Sequence, residues 1–355
     1  MKFEKIFKNK KIIITGHTGF KGSWLTLWMT MLGANVLGIS KNNPTRPSHL
    51  KLLKLDNKIK EKKIDIRNIK LLKKTFKKFN PDFVFHLAAQ ALVHNSYEDP
   101  LNTWSTNTIG TINVLESLRE LKKKCVAVLI TSDKSYKNIE IERGYKEGDL
   151  LGGKDPYSAS KASAEMAIQS YIESFFKNNN NKVLIAVARA GNVIGGGDWS
   201  ENRLIPDCIK SWSRNKKVIL RSPNSTRPWQ HVLEAISGYL YLAVNLSKNH
   251  KLHGEVFNFG PTNLNNYNVL SVVKLMKTFW KNVDWQINKK KIFFESKLLK
   301  LNSNKAKKLL KWNNKLSFKD TIKLVALWYR DYYNKKKSRI TKLSSDQILN
   351  YEKKL

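Results

Sequence analysis

Two stretches of this chain carry side chains whose types and spacing suit proton transfer. In Asp155-Pro156-Tyr157-Ser158-Ala159-Ser160-Lys161 a tyrosine and a lysine stand four residues apart. Pro156 suits the first position of a helix, where its missing N–H costs nothing, so Tyr157 and Lys161 are expected to share one helical face. An ammonium beside a phenol favours phenolate, which predicts that Tyr157 is drawn from the usual value near ~10 toward neutrality and can take a proton from a hydroxyl. The second stretch, Thr131-Ser132-Asp133-Lys134, sets a hydroxyl, a carboxyl and an ammonium in consecutive positions. A tyrosine and a lysine at this spacing are common on helix surfaces, so the pair takes its weight from its surroundings.

The element that must position these groups announces itself near the N-terminus. A β-branched run, Ile12-Ile13-Ile14-Thr15, ends in Gly16, His17, Thr18, Gly19, Phe20, Lys21 and Gly22, and a mostly apolar segment follows. That is a strand, a tight turn and a helix start. Glycine permits positive φ, close approach of a pyrophosphate to the bare backbone, and close packing of helix on strand. The unpaired N–H groups of the helix start then face the anion. The spacing is G-x-x-G-x-x-G, not the commoner G-x-G-x-x-G.

Beyond this turn, strands and helices alternate: strands are expected at 35–39, 63–66, 82–88 and 125–132, with helices at 22–32, 69–79 and 101–122. This rhythm predicts an α/β protein, a Rossmann-type doubly wound parallel sheet with a smaller C-terminal substrate-binding domain. Residues 1–190 are assigned to the dinucleotide-binding unit, with 229–261 returning to it. Residues 191–228 and 262–335 are assigned to substrate, and 336–355 to a basic tail. Ligands on such a sheet sit at the carboxyl ends of its strands.

Composition narrows the classes. The chain has 355 residues, 41% of them hydrophobic, enough for a full-sized core. Cys125 and Cys208 are the two cysteines, too few for a disulfide framework or a metal site, which suits a reducing cytoplasm. No signal peptide is evident, and the uncharged run at 24–40 reads as helix, turn and strand, not as a membrane span. The net charge of +37 would suit a nucleic-acid binder, but the lysines are dispersed and accompanied by asparagine and isoleucine, as at 58–63, 70–78, 178–181 and 289–291. We read them as solvated faces.

Together, the glycine turn, the Ser-Asp after the fifth strand and the Tyr-x-x-x-Lys helix resemble the extended short-chain dehydrogenase/reductase family, and within it the nucleotide-sugar dehydratases. The matching stretches are GHTGFKGSWL at 16–25, FHLAAQ at 85–90, TSDK at 131–134, LGGKDPYSASKA at 151–162, RAGNVIGGGDW at 189–199, RPWQHVLE at 227–234 and FNFGP at 257–261, with Trp328-Tyr329-Arg330 near the end. The resemblance implies NAD, held by residues 16 to 22, by Asp65 and Ile66 at the adenine, by Ala88, Ala89 and Gln90 at the ribose side, and by Asn107, Tyr157 and Lys161. It implies that CDP-glucose is bound through Asn192, Arg203, Arg227 and Trp229 and converted to CDP-4-keto-6-deoxyglucose. In that cycle Tyr157, helped by Lys161, takes the C4 hydroxyl proton, Ser132 holds that oxygen, Asp133 protonates the departing C6 hydroxyl, and the hydride returns to C6. Lys134 stands where thymidine-linked relatives have a glutamate as the C5 base. It either acts in its neutral form or stabilises the enolate.

The residues alone leave some points open. Arg203, Arg221 and Arg227 could fork onto a diphosphate. His231 is expected to make a structural hydrogen bond under the loop. No acidic residue occurs between Glu4 and Asp56, and Ser40 is followed by Lys41 and Arg46, a setting compatible with NADP as well as NAD. The resemblance also implies a homodimer or dimer of dimers, paired through helices near 101–122 and 157–177, with Leu101, Trp104, Val114, Leu115 and Leu118 as apolar surface. An epimerase or reductase on the same fold is the alternative activity.

Overall fold

In the computed structural model, residues 2–55, 57–177, 182–261, 267–288, 298–334 and 337–355 are described. The lysine and asparagine runs at 178–181 and 289–291 lie outside them. Strands β1 (Lys11–Thr15), β2 (Asn35–Ser40), β3 (Lys60–Lys63), β4 (Phe83–His86), β5 (Cys125–Ile130) and β6 (Val183–Ala190) join a later strand in one parallel sheet. With the short strands β7 (Val193–Ile194), β8 (Val218–Leu220) and β9 (Gln230–His231) numbered on the way, that strand is β10 (Val256–Phe259). The order is β10-β6-β5-β4-β1-β2-β3, so the winding reverses between β1 and β4.

Both faces of the sheet are covered, as crossover helices require. Ile12 and Ile14 face one core with Trp24, Trp28, Phe85, Leu233 and Tyr239, while Ile13 faces the other with Val84, Leu115, Leu118 and Ile168. This strict alternation is the two-residue period of a strand.

Three expectations are corrected. The third strand is 60–63, not 63–66. It is the sheet's edge, where four exposed charged residues satisfy the ladder and discourage pairing with another chain. Ile64 and Ile66, which suggested the later position, are buried in the segment that folds over the sheet end. Val114, Leu115 and Leu118 are fully buried beneath the sheet, so the outer face of their helix pair is Leu101, Trp104, Ile109 and Met166 instead. Residues 340–352 are not a loose basic tail. They form a helix, Ile340–Glu352, that buries Ile340, Ile348 and Tyr351. Tyr351 donates to Glu234 at 2.6 Å, and Trp28 donates to Glu352 at 2.7 Å, which ties this helix to the sheet's flanking helices.

Candidate active site

The helix Phe20–Met31 begins at Gly19 with no side-chain cap, leaving its first N–H groups free to meet an anion. A Cβ on Gly16 would lie 2.6 Å from the backbone nitrogen of Ala88, and one on Gly22 would lie 2.1 Å from the carbonyl oxygen of Gly16. The turn is thus a bare-backbone cradle at the winding reversal, and it fits the pyrophosphate of a dinucleotide. His17 is buried behind it, its Nδ1 2.9 Å from Ser40 Oγ and its Nε2 2.5 Å from Glu61 Oε1. Thr18 N–H donates to Ser40 Oγ at 3.4 Å. Glu61, opposite Gly38 of β2, thus brings a carboxylate from β3 to the histidine behind the turn.

The adenine-side residues follow. Asp65 accepts from Arg67 at 2.6 Å and lies 3.4 Å from Lys41, and the Arg67 hydrogen bonds hold its carboxyl down at about 2. Ile66 packs beneath Gly110. Asn107 sits in a π-helical turn, Ser105–Ile109, that interrupts the expected helix. Its amide accepts from Gln90 N–H at 2.8 Å and donates to Ser160 Oγ at 2.9 Å, so it clamps the 88–90 segment to the tyrosine helix. Ala88 N–H donates to Thr15 at 3.3 Å, and Ala89 lies between it and Gln90.

The tyrosine helix, Pro156–Tyr171, starts as its sequence dictates: Asp155 accepts from Ser158 N–H at 2.9 Å and Pro156 takes the first turn. Tyr157 and Lys161 are both buried. The electrostatics, however, correct the expectation of a lowered tyrosine. Burial pushes Tyr157 up, the hydrogen bond with Ser132 only partly opposing it, and burial pulls Lys161 down to about 8. Lys161 Nζ turns to the Ile130 carbonyl at 3.5 Å, so its charge is not among the leading influences on the phenol.

Asp133 is fully desolvated. Ser132 Oγ donates to its Oδ1 at 3.0 Å, and its Oδ2 has no partner among the described residues. Burial raises its pKa, favouring the protonated acid. A Cβ on Gly191 would fall 1.9 Å from Oδ2, so only glycine there leaves room for this carboxyl. Lys21 faces the same space. Burial and the charges of Lys161 and Arg203 lower it to about 7.

A cavity of about 420 Å³ brings together Phe20, Lys21, Ser132, Asp133, Lys134, Tyr157, Asn192, Arg203, Arg227 and Trp229, a size that accommodates a small ligand. Arg203 donates to Asp198 at 3.0 Å, and Asp198 N–H donates to Tyr329 at 3.0 Å. Trp24 donates to the Gly196 carbonyl at 2.9 Å, so the C-terminal aromatic residues and the first helix pin the glycine-rich loop that carries Arg203. Asn192 is left-handed (φ 39), and its carbonyl accepts from Gln230 N–H at 3.3 Å. Trp229 is anchored by donation to the Tyr267 carbonyl at 2.9 Å. His231 does not line the cavity. Its Nδ1 accepts from Leu233 N–H at 3.3 Å as a helix cap, and burial keeps it neutral, its pKa down at about 3.

One group beneath the site escaped the sequence reading. Glu165, one turn beyond Lys161, accepts from Thr131 Oγ1 at 2.6 Å and Ser135 Oγ at 2.7 Å, and forms a buried ion pair with Arg189. It holds both ends of the Ser132-Asp133-Lys134 turn. Its four-residue spacing from Lys161 was the available signal.

The glycine cradle at the winding reversal and the buried tyrosine–lysine helix against a Ser-Asp turn define an extended short-chain dehydrogenase/reductase. The chain belongs to the GDP-mannose 4,6 dehydratase family, whose model matches residues 13–325. It is 41% identical to CDP-glucose 4,6-dehydratase of Salmonella typhimurium over 92% of each chain. The fold is shared with an epimerase of Methanothermobacter thermautotrophicus, at a TM-score of 0.81 and 22% identity over 95% of this chain and 97% of that one. It is shared too with the NAD complex of dTDP-glucose 4,6-dehydratase from Bacillus anthracis, at a TM-score of 0.76 and 23% identity over 94% of this chain and 99% of that one.

Proposed function

We propose that this protein dehydrates CDP-glucose to CDP-4-keto-6-deoxyglucose. The observation that carries the reading is one cavity holding a tyrosine, a serine and a desolvated carboxyl at one end and the paired arginines 203 and 227 beside them. The identity with the Salmonella enzyme supports the choice of nucleotide. NAD, in the cradle formed by residues 16–22, would accept a hydride from C4 and return it to C6.

The chain's own groups divide the proton work. Tyr157, acting as the phenolate, takes the C4 hydroxyl proton, with Ser132 hydrogen-bonding the same oxygen. The resulting ketone acidifies C5; Lys134 in its neutral form takes that proton, and the ammonium so formed stabilises the enolate. Asp133, whose acid form burial favours, donates to the departing C6 hydroxyl, so that water leaves and no external oxidant is consumed. Arg203 and Arg227 hold the diphosphate, with Asn192 and Trp229 in the same wall.

The test is incubation of the purified protein with a panel of nucleotide-glucoses. CDP-glucose is expected to give a 4-keto-6-deoxy product and dTDP-glucose hardly any. Turnover of both at equal rates removes the base preference, and a C4 epimer as product replaces the dehydratase reading with the epimerase one. Asp133→Asn is expected to slow loss of water on the order of 10²-fold while C4 oxidation persists, so reduced nicotinamide accumulates in a single turnover. Unchanged rates of both steps remove Asp133 from the mechanism. In Lys134→Met, C5 deuterium uptake is expected to be lost with C4 oxidation intact.

We further propose a cytoplasmic homodimer or dimer of dimers. Leu101, Trp104, Ile109 and Met166 are exposed apolar residues on the helices flanking one side of the sheet, and Leu101 is 82% exposed. Among the described residues no helix is long and apolar enough to cross a membrane. Light scattering at micromolar concentration is expected to give at least twice the 41.0 kDa chain mass, and a monodisperse monomer overturns this assembly.

A further inference from the structure

The cavity continues past the arginines. Arg203 is among the charges that act on Tyr157, and Arg227 among those that act on Asp133. Arg221 instead acts on Asp207, together with Lys210 and Glu201. Arg203 is the N-cap of the helix Leu204–Trp212, Asp207 lies one turn further along it, and β8, which packs on that helix, leads into Arg221, so the cavity wall continues from Arg203 to Asp207 and Arg221. A nucleotide-sugar has the same linear order: hexose, diphosphate, ribose, base. Leu204, on the same helix turn as Asp207, and Val218, Leu220 and Val269 line the same cavity, an apolar setting suited to a planar base.

Asp207 stands on the first turn of the helix Leu204–Trp212 and is half-buried. Burial raises its carboxyl to about 6, with Lys210, Arg221 and the Asn202 backbone N–H opposing, so it is ionised at neutral pH. One N–H from Asn202 uses part of its accepting capacity, since a carboxylate offers about four lone-pair positions.

We infer that Asp207 selects the base of the nucleotide-sugar, its carboxylate accepting from the exocyclic amine of cytosine. The inference rests on the nucleotide-sugar reading above and names the group that sets its preference. Cytosine presents an N–H₂ donor where uracil and thymine present a carbonyl oxygen, so one carboxylate attracts the first and repels the other two. An acidic side chain on cytosine N4 is a pairing that geometry favours, and a correct pairing discriminates by roughly 10–100-fold.

The experiment measures binding of CDP, UDP and dTDP by calorimetry, and kcat/KM on the three nucleotide-glucoses, for the wild type, Asp207→Asn and Asp207→Leu. The wild type is expected to prefer the cytidine nucleotide. Asp207→Asn, whose carboxamide can turn its N–H₂ toward a carbonyl, is expected to lose affinity for CDP and gain it for UDP. The CDP:UDP ratio then falls about 10-fold or more. Asp207→Leu is expected to lower the ratio without the gain for UDP. If both variants weaken all three nucleotides alike, Asp207 serves only to cap the 202–207 turn and the inference fails while the dehydratase reading stands. If the wild type binds none of the three, that reading falls and takes the inference with it. Asp207→Asn preserves size and the acceptor for Asn202, so it reports on the proposal even if the leucine variant does not fold.

Discussion

Tyr157→Phe is expected to suppress every step of turnover on the order of 10²–10⁴-fold, the scale of a positioned acid or base. The variant keeps the ring that Tyr157 buries and removes only the oxygen that hydrogen-bonds with Ser132, so the fold is expected to persist. The discriminating observation is where the reaction stops. Without a group to take the C4 hydroxyl proton, oxidation itself fails, and no reduced nicotinamide forms in a single turnover with CDP-glucose. This separates it from Asp133→Asn, which is blocked one stage later. Reduced nicotinamide forming in Tyr157→Phe at the wild-type rate would falsify the assignment. Because Lys161 donates to the Ile130 carbonyl and is not among the leading charges on the phenol, Lys161→Met is expected to act more weakly than Tyr157→Phe in the same assay.

The second large effect is on stability. Glu165→Ala leaves the guanidinium of Arg189 buried without its carboxylate, and removes the acceptor shared by Thr131 and Ser135. Breaking one side of a buried pair costs about 3–5 kcal/mol. At roughly 2–4 °C of Tm per kcal/mol, that is a loss of roughly 6–20 °C, read by calorimetry. The cost comes from the orphaned charge more than from the lost attraction. The double variant Glu165→Leu with Arg189→Met, which removes both charges and keeps apolar volume, is therefore expected to recover much of the stability. It does not restore activity, because Ser132 and Asp133 lose the carboxylate under their turn. A single variant with wild-type Tm would show that Glu165 carries no structural load.

What the sequence by itself determined here is local. Gly16 and Gly22 specify their turn because any Cβ there meets backbone, a conflict settled within and immediately beside the motif. Asp155 and Pro156 start the tyrosine helix through a cap three residues long, and the four-residue spacing places Tyr157 and Lys161 on one face whatever lies around them. The alternation at Ile12, Ile13 and Ile14 divides the two cores. The motifs after residue 189 pointed to the family from sequence alone, without saying what they touch.

The tertiary structure decided everything that depends on the dielectric and on chains arriving from elsewhere. Whether Tyr157 is lowered by Lys161 or raised by burial is a contest between charge and desolvation, and only packing decides it in favour of burial, with the ammonium on the Ile130 carbonyl. The carboxylate behind the glycine turn comes from Glu61 on β3, 44 residues after the histidine it meets, so no search just beyond the glycines could find it. Asp207 reads as an ordinary helical residue until Arg221 acts on it and the apolar wall lines the same cavity. The helix Ile340–Glu352 looked like a cationic tail because its composition is polar. Its Tyr351 meets Trp28 and Ser237, and its Ser344 accepts from Trp328, only after the sheet and its flanking helices have formed a surface to receive them.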